Sequence, residues 1–158
     1  MTSVSVLMVT ASGAPDPALE ASARALEARF SGKDLALEEC ATIPDEAALI
    51  RRALRQGADQ RGFGLILTLG GTGLGPRSRV PEATAELLDR PLPGIAELIR
   101  LSTLQKSRLA ALSRGVAGLR GKTLIVNLGA GEGAAVTGFD AIAPLLPFVY
   151  EDRLNSWV

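Results

Sequence analysis

Histidine is absent from this chain of 158 residues, and the absence removes several kinds of chemistry at once. No imidazole can serve as general base to a Ser or Cys nucleophile, and no His-based zinc site can form. Cysteine occurs once, at Cys40, which excludes an internal disulfide and a cysteine-cluster metal site. Its apolar-leaning surroundings read as packing. Neither sign of charge dominates: 17 basic and 17 acidic residues cancel, so no overall basic field is offered to nucleic acid or to an anionic membrane. A local basic site stays open. No apolar run is read as reaching the roughly 18 to 20 residues of a membrane helix. The opening "MTSVSVLMVTASG" lacks a basic n-region and reads as a strand rather than a signal peptide, so a cytoplasmic protein is expected. Any catalysis is left to carboxylates, Lys, Arg, hydroxyls, backbone amides or a hard metal such as magnesium.

What is present is globular. Hydrophobic residues make up 47% and charged residues 22%, and the length suits one domain over residues 1–158. Apolar, β-branched runs predict strands at Val4 to Thr10, Leu35 to Ile43, Phe63 to Leu69 and Thr123 to Leu128. Helical spacing predicts helices over Pro17 to Phe30, Asp45 to Arg55, Pro81 to Leu88, Gly94 to Leu101, Gln105 to Leu112 and Phe139 to Val149. Strands alternating with helices imply parallel βαβ units. The expected fold is a three-layer α/β/α sandwich with a mostly parallel central sheet.

Strand three runs into Gly70-Gly71-Thr72-Gly73, and the last strong strand runs into Gly129-Ala130-Gly131-Glu132-Gly133. In open α/β sheets ligands bind beyond the carboxyl ends of strands. Glycine leaves the main chain open to close approach, and amides at a helix start favour phosphate or carboxylate. The two loops can therefore form two walls of one anion pocket, or they can be tight turns. Arg77 and Arg79 carry forked donors suited to phosphate, or they are solvated loop charges.

The segment Thr68-Leu69-Gly70-Gly71-Thr72-Gly73, followed by Arg77-Ser78-Arg79-Val80-Pro81-Glu82-Ala83-Thr84, resembles the signature T-x-GGTG-x-x-x-RD-x-TPEAT of the Mog/MoaB molybdopterin-binding family. That family includes molybdopterin adenylyltransferases and a domain of gephyrin. "IPDEAAL", "LPGIAELIR", "LSRGVAG" and "GKTLIVNLGAG" match further blocks in order, from Ile43 to Leu146. The resemblance implies a trimer that binds molybdopterin and joins its terminal phosphate to AMP from ATP with magnesium. It also implies a place among other molybdenum-cofactor biosynthesis proteins, with no nucleic-acid or membrane partner.

Carried over position by position, Gly70, Gly71, Thr72, Gly73 and Arg77 form the first cradle, and Gly129, Gly131 and Gly133 the second. Asp45 takes the place of one acidic residue implicated in active members. The other is missing, because Ser78 stands where the family has Asp. A serine brings no negative charge to magnesium. Glu82, four residues on, is a candidate substitute if the helix starts early; Asp45 and Glu82 are then the metal ligands, and Asp45, Glu82 and Ser78 the catalytic set. Asp45 also has a reading as a helix-start residue. Ser113 and Arg114 are either site residues or a helix end. Asn127 either caps its strand or binds ligand. Glu97 and Arg100 are a surface pair, or Arg100 contacts substrate or a neighbouring subunit. Glu132 would repel a phosphate, or it faces solvent. A non-catalytic molybdopterin-binding or scaffold protein is the alternative function.

Overall fold

A computed structural model describes residues 1–151. Six strands form one sheet: β1 (Thr2–Thr10), β2 (Leu35–Pro44), β3 (Leu65–Leu69), β4 (Arg90–Pro91), β5 (Ala117–Arg120) and β6 (Thr123–Leu128), in the order β2-β1-β3-β6-β5-β4. The pairs β1–β2, β1–β3 and β3–β6 are parallel, whereas β5 runs antiparallel to both β6 and β4. Six α-helices cover the faces: α1 (Pro17–Glu27), α2 (Ala47–Arg55), α3 (Val80–Ala85), α4 (Pro93–Leu104), α5 (Glu132–Ile142) and α6 (Leu146–Tyr150). The expected layered architecture is present.

The central strands β3 and β6 are buried at every position, and mostly apolar, because both faces are covered. Side chains alternate across the sheet. Val4, Val6, Leu65, Leu67, Leu124 and Val126 therefore join Leu26 of α1, Ile95 of α4 and Phe139 of α5 in one core. Leu7, Val9, Ile66 and Ile125 face the other way, against Ile50 and Leu54 of α2 and Val80 and Ala83 of α3. Phe30 meets Phe139 edge to face, with ring centroids 5.3 Å apart, a favourable aromatic geometry.

Several sequence expectations need correction. The hairpin partner β5 and the short β4 were not expected, because "AGLR" and "RP" carry no apolar alternation; pairing to β6 creates them. Helix α5 begins at Glu132, not Phe139. Its buried residues Ala135, Gly138, Phe139 and Ile142 fall at helical spacing, and the helix takes in the last two residues of the second glycine loop. Gly133 and Glu132 thus belong to its first turn. The short helix expected from Gln105 is a 3-10 turn over Arg108–Leu112. Cys40 is exposed on β2, the strand at one sheet edge, and does not pack in the core. Glu132–Tyr150 does have the length and mean hydropathy (1.3) of a membrane span. It is, however, broken into α5, a 3-10 turn and α6, and Phe139, Ile142 and Leu146 are committed to the core.

Strand order reverses at β1: the chain passes outward to β2, then returns to β3 on the other side. Such a switch point leaves a crevice outside the carboxyl ends of the strands. Gly70 follows β3 there, Gly129 follows β6, and Asp45 follows β2. The Asp45 N–H donates to the Thr10 carbonyl at 2.7 Å, which joins the ends of β1 and β2.

Candidate functional site

The glycines at the switch point divide into two kinds. Gly70 and Gly71 have φ of +95° and +71°, the left-handed region open chiefly to glycine. A Cβ on Gly70 would lie 2.9 Å from the Val9 carbonyl oxygen, and one on Gly71 would lie 2.3 Å from Val80 Cγ2. The protein itself fills the space beside these two residues, so the fold alone demands glycine there. Gly73 differs, since its Cβ would meet only Ser78 Oγ at 3.9 Å, and Gly131 and Gly133 would meet nothing within 4 Å. These three present open main chain. The two loops touch: the Gly70 N–H donates to the Leu128 carbonyl at 3.1 Å, and Ala130 Cβ lies 3.8 Å from the Gly70 Cβ position. Ser22 of α1 steadies the second loop by donating its hydroxyl to the Ala130 carbonyl at 2.8 Å. No side chain caps α5, whose N-cap is Gly131; uncapped first-turn amides favour an anion. Glu132 is exposed in that first turn.

The charged residues gather on the other side of the first loop. A cleft of about 620 Å³ is lined by Ala11, Asp45, Arg51, Pro76, Arg77 and Arg79, among others. Asp45 does not cap α2, whose N-cap is Glu46. Instead its Oδ1 accepts the Arg79 N–H at 2.9 Å, so it pins the far end of the first loop. Burial raises the Asp45 carboxyl above its ordinary range, against the lowering effect of the Arg79 amide and charge. Arg51 was missed in the sequence. A helix starting at Ala47 puts Ala47, Ala48 and Arg51 on one face toward the cleft, and that spacing was the available signal. Arg51 Nη1 also lies 3.3 Å from Glu86 Oε2.

Glu82 and Asn127 are not placed as expected. Glu82 is paired with Arg114. Burial pushes its carboxyl up, but the hydrogen bond and charge of Arg114 outweigh this and hold it below its ordinary range. The carboxylate is thus kept charged and faces Arg114. Asn127 is buried, and its Nδ2 donates to Thr68 Oγ1 and Thr84 Oγ1, both at 3.0 Å. Its Oδ1 accepts the Val116 N–H at 3.1 Å. Both amide protons are spent inside the protein, so Asn127 is a clamp between β3, α3 and the segment before β5, not a ligand contact. Arg100 is half-buried and bonds within the protein rather than to Glu97; its Nη1 donates to the carbonyls of Ser113 and Gly115 at 3.3 and 2.8 Å. Ser113 Oγ accepts the Gly115 N–H at 3.4 Å.

A magnesium ion normally keeps several waters and uses one or two carboxylates plus substrate phosphates. Among the described residues no group of three or more carboxylate, Cys or His side chains could cage a metal. Asp45 lines the cleft beside Arg77 and Arg79. Glu46 lines the same cleft, so two carboxylates stand beside its arginines, a donor set that suits a magnesium ion bringing its own waters and phosphate oxygens.

Comparison with known proteins shows the family of the chain. The family described as "Probable molybdopterin binding domain" matches residues 5–147. The molybdenum cofactor synthesis protein cinnamon of Drosophila melanogaster is 43% identical over 105 residues, covering 66% of this chain and 18% of that protein. A molybdopterin adenylyltransferase of Helicobacter pylori is 34% identical over 116 residues, covering 73% of this chain and 66% of that protein. The chain therefore spans less than two thirds of these curated relatives. The crystal structure of the molybdopterin biosynthesis enzyme MoaB from Thermus thermophilus superposes with a TM-score of 0.83 at 43% identity, covering 95% of this chain and 97% of that one. With its glycine loops at the switch point and this match over nearly its whole length, the chain belongs to the Mog/MoaB family of molybdopterin-binding domains.

Proposed function

We propose that this protein acts in molybdenum-cofactor biosynthesis by binding molybdopterin and transferring AMP to it from ATP. The observation that carries the reading is the open main chain of Gly73, Gly131 and Gly133 at a switch point whose other wall is arginine-rich. Gly131 and the first turn of α5 hold an anionic group through backbone amides. Arg77 and Arg79 hold phosphates through forked donors. A terminal phosphate oxygen of molybdopterin then forms a bond to the α-phosphorus of ATP, and the bond to the bridging oxygen of pyrophosphate breaks. Magnesium bound with the nucleotide neutralises phosphate charge; Asp45 is the side chain that would hold it. The names of the relatives support the substrate pair. Purified protein incubated with molybdopterin, ATP and magnesium should form adenylylated molybdopterin and pyrophosphate, and Asp45→Asn should lose that product.

Turnover is expected to be slow. Ser78 contributes no charge and Glu82 is paired with Arg114, which leaves Asp45 and its neighbour Glu46 as the carboxylates lining the cleft. That same observation favours the second reading, a binding protein that holds molybdopterin without turnover. No adenylylated product, together with tight molybdopterin binding, would select it.

The binding half is testable by itself. Gly131 has φ −66° and nothing within 4 Å of its Cβ position, so Gly131→Val should fold normally while narrowing the open amide wall. Calorimetry with molybdopterin should show affinity lowered about tenfold, a loss of roughly 1.4 kcal/mol. Unchanged affinity in the folded variant would place the ligand elsewhere.

A cytoplasmic homotrimer is the assembly proposed, with other cofactor-biosynthesis proteins as its partners. Leu145 and Phe148 stay 39% and 55% exposed. With Leu92, Ile95, Leu119 and Val149 they line an apolar cleft of about 340 Å³. A second copy covering that cleft would remove a costly exposed patch. Trp157 lies outside the described residues. Light scattering should give a mass near three times 16.4 kDa, and a stable monomer at micromolar concentration would refute the trimer.

A further inference from the structure

We propose that Arg114 is the positioning residue of the first glycine loop: it sets the loop's shape from behind and touches neither substrate. The observation is one of reach. The Arg114 Nε donates to the Gly73 carbonyl at 2.9 Å, its Nη2 donates to the Ser78 carbonyl at 2.9 Å, and its Nη1 pairs with Glu82 at the start of α3. Its own backbone N–H donates to the Thr72 carbonyl at 3.0 Å. One residue therefore ties the loop at its beginning, near its end and at the helix that follows.

Beyond that tie, the loop is held at its far end by Asp45, whose Oδ1 accepts the Arg79 N–H. Within residues 73–79 the recorded backbone bond joins the Ser78 N–H to the Gly75 carbonyl at 3.0 Å, and Leu74, Gly75, Pro76, Arg77 and Arg79 are exposed. The strut is itself anchored. Arg100 of α4 holds the carbonyls on either side of Arg114, and Asn127 holds the next residue, Val116. A planar guanidinium can serve three acceptors in fixed directions, which an ammonium on a flexible stem cannot. Nor does Arg114 line the cleft, where Arg51, Arg77 and Arg79 stand. Each guanidinium nitrogen donates to protein, so three of its five N–H donors are committed to the loop and to Glu82. Only the expected effect on turnover rests on the adenylyl-transfer reading; the effect on the loop does not.

Arg77 and Arg79 make the loop its own reporter, because trypsin cuts after both. The ligand-free protein is digested briefly and its fragments are weighed, with cleavage after Lys33 as internal reference. Lys33 lies at the opposite end of the sheet, in the turn before β2. Arg114→Gln should raise cleavage after Arg77 and Arg79 at least tenfold relative to Lys33. Arg114→Lys keeps the charge toward Glu82 but not the fork, and should fall between the two. Glu82→Gln should loosen the loop in the same direction and leave the magnesium dependence of ATP binding unchanged. In the adenylylation assay the Arg114 variants should lose kcat more than they raise KM, as misplaced donors would dictate. If Arg114→Gln does not fold, Arg114→Lys decides. Loop cleavage that stays at the natural rate in folded variants, while ATP binding falls, would overturn the proposal and make Arg114 a direct contact. A higher magnesium requirement in Glu82→Gln would equally overturn it. Absence of adenylylation in every variant, with the cleavage result intact, would refute the function reading alone.

Discussion

Gly71→Ala should destabilise the protein by about 2 to 5 kcal/mol, even though alanine adds one methyl group. The left-handed backbone at φ +71° costs an L-residue roughly 1 to 2 kcal/mol. The new methyl would stand 2.3 Å from Val80 Cγ2 and 3.0 Å from Asp45 Oδ2, and overpacking of that kind costs typically ~1 to 3 kcal/mol. Val80 is fully buried and opens α3, so it has no direction in which to yield. For a domain of this size, thermal unfolding should fall by roughly 5 to 20 °C. Gly131→Ala, with no neighbour and an ordinary φ, should change it little. The double variant Gly71→Ala with Val80→Ala should be less unstable than the two losses added, since the clash is shared. An unchanged melting temperature in Gly71→Ala would mean that the loop can adopt another path, and would remove the distinction drawn between filled and open glycines.

Restoring a carboxylate at the broken motif should raise activity. Ser78 is half-buried, and its hydroxyl is 3.6 and 3.9 Å from the Cβ positions of Gly75 and Gly73, so a slightly larger side chain has room. Its backbone is already fixed, with the N–H bonded to Gly75 and the carbonyl held by Arg114. Ser78→Asp should therefore add a carboxylate to the first loop without moving it. One orienting electrostatic contact is worth about 2 to 4 kcal/mol in the transition state, by analogy with loss of a single oxyanion-hole donor. That corresponds to roughly thirty- to a thousand-fold in rate. Neutralising Glu132, which sits in the first turn of the helix facing the open glycines, should add a further gain. Magnesium titrations of adenylylation separate the causes: the Ser78→Asp gain should depend on magnesium and vanish with Asp45→Asn. A gain that survives without magnesium, or robust turnover by the natural protein after Asp45→Ala, would sink the carboxylate assignment.

The sequence by itself determined the parts of this protein that rest on local periodicity. Val4 to Thr10, Leu65 to Leu69 and Thr123 to Leu128 are apolar at nearly every position, and only a strand covered on both faces tolerates that pattern. Their alternation with amphipathic helices fixed the layered architecture, and the glycines at their ends marked the crevice. The family motif added which ligand the crevice suits. Tertiary structure decided everything that depends on a partner distant in the chain. The strand β5 exists because β6 pairs with it, not because "AGLR" favours a strand. Helix α5 starts early because Gly138 packs against Leu128 and Ile99, contacts that no local window contains. Only the folded chain brings Arg114 to Glu82, across 32 residues, and so gives a carboxylate that the sequence offered to a metal a partner within the protein. A side chain's chemical type is written in the sequence, but its availability depends on which distant group reaches it first. For Asn127, Arg100 and Glu82 that group was another part of the protein; Asp45 accepts the Arg79 N–H and still lines the cleft.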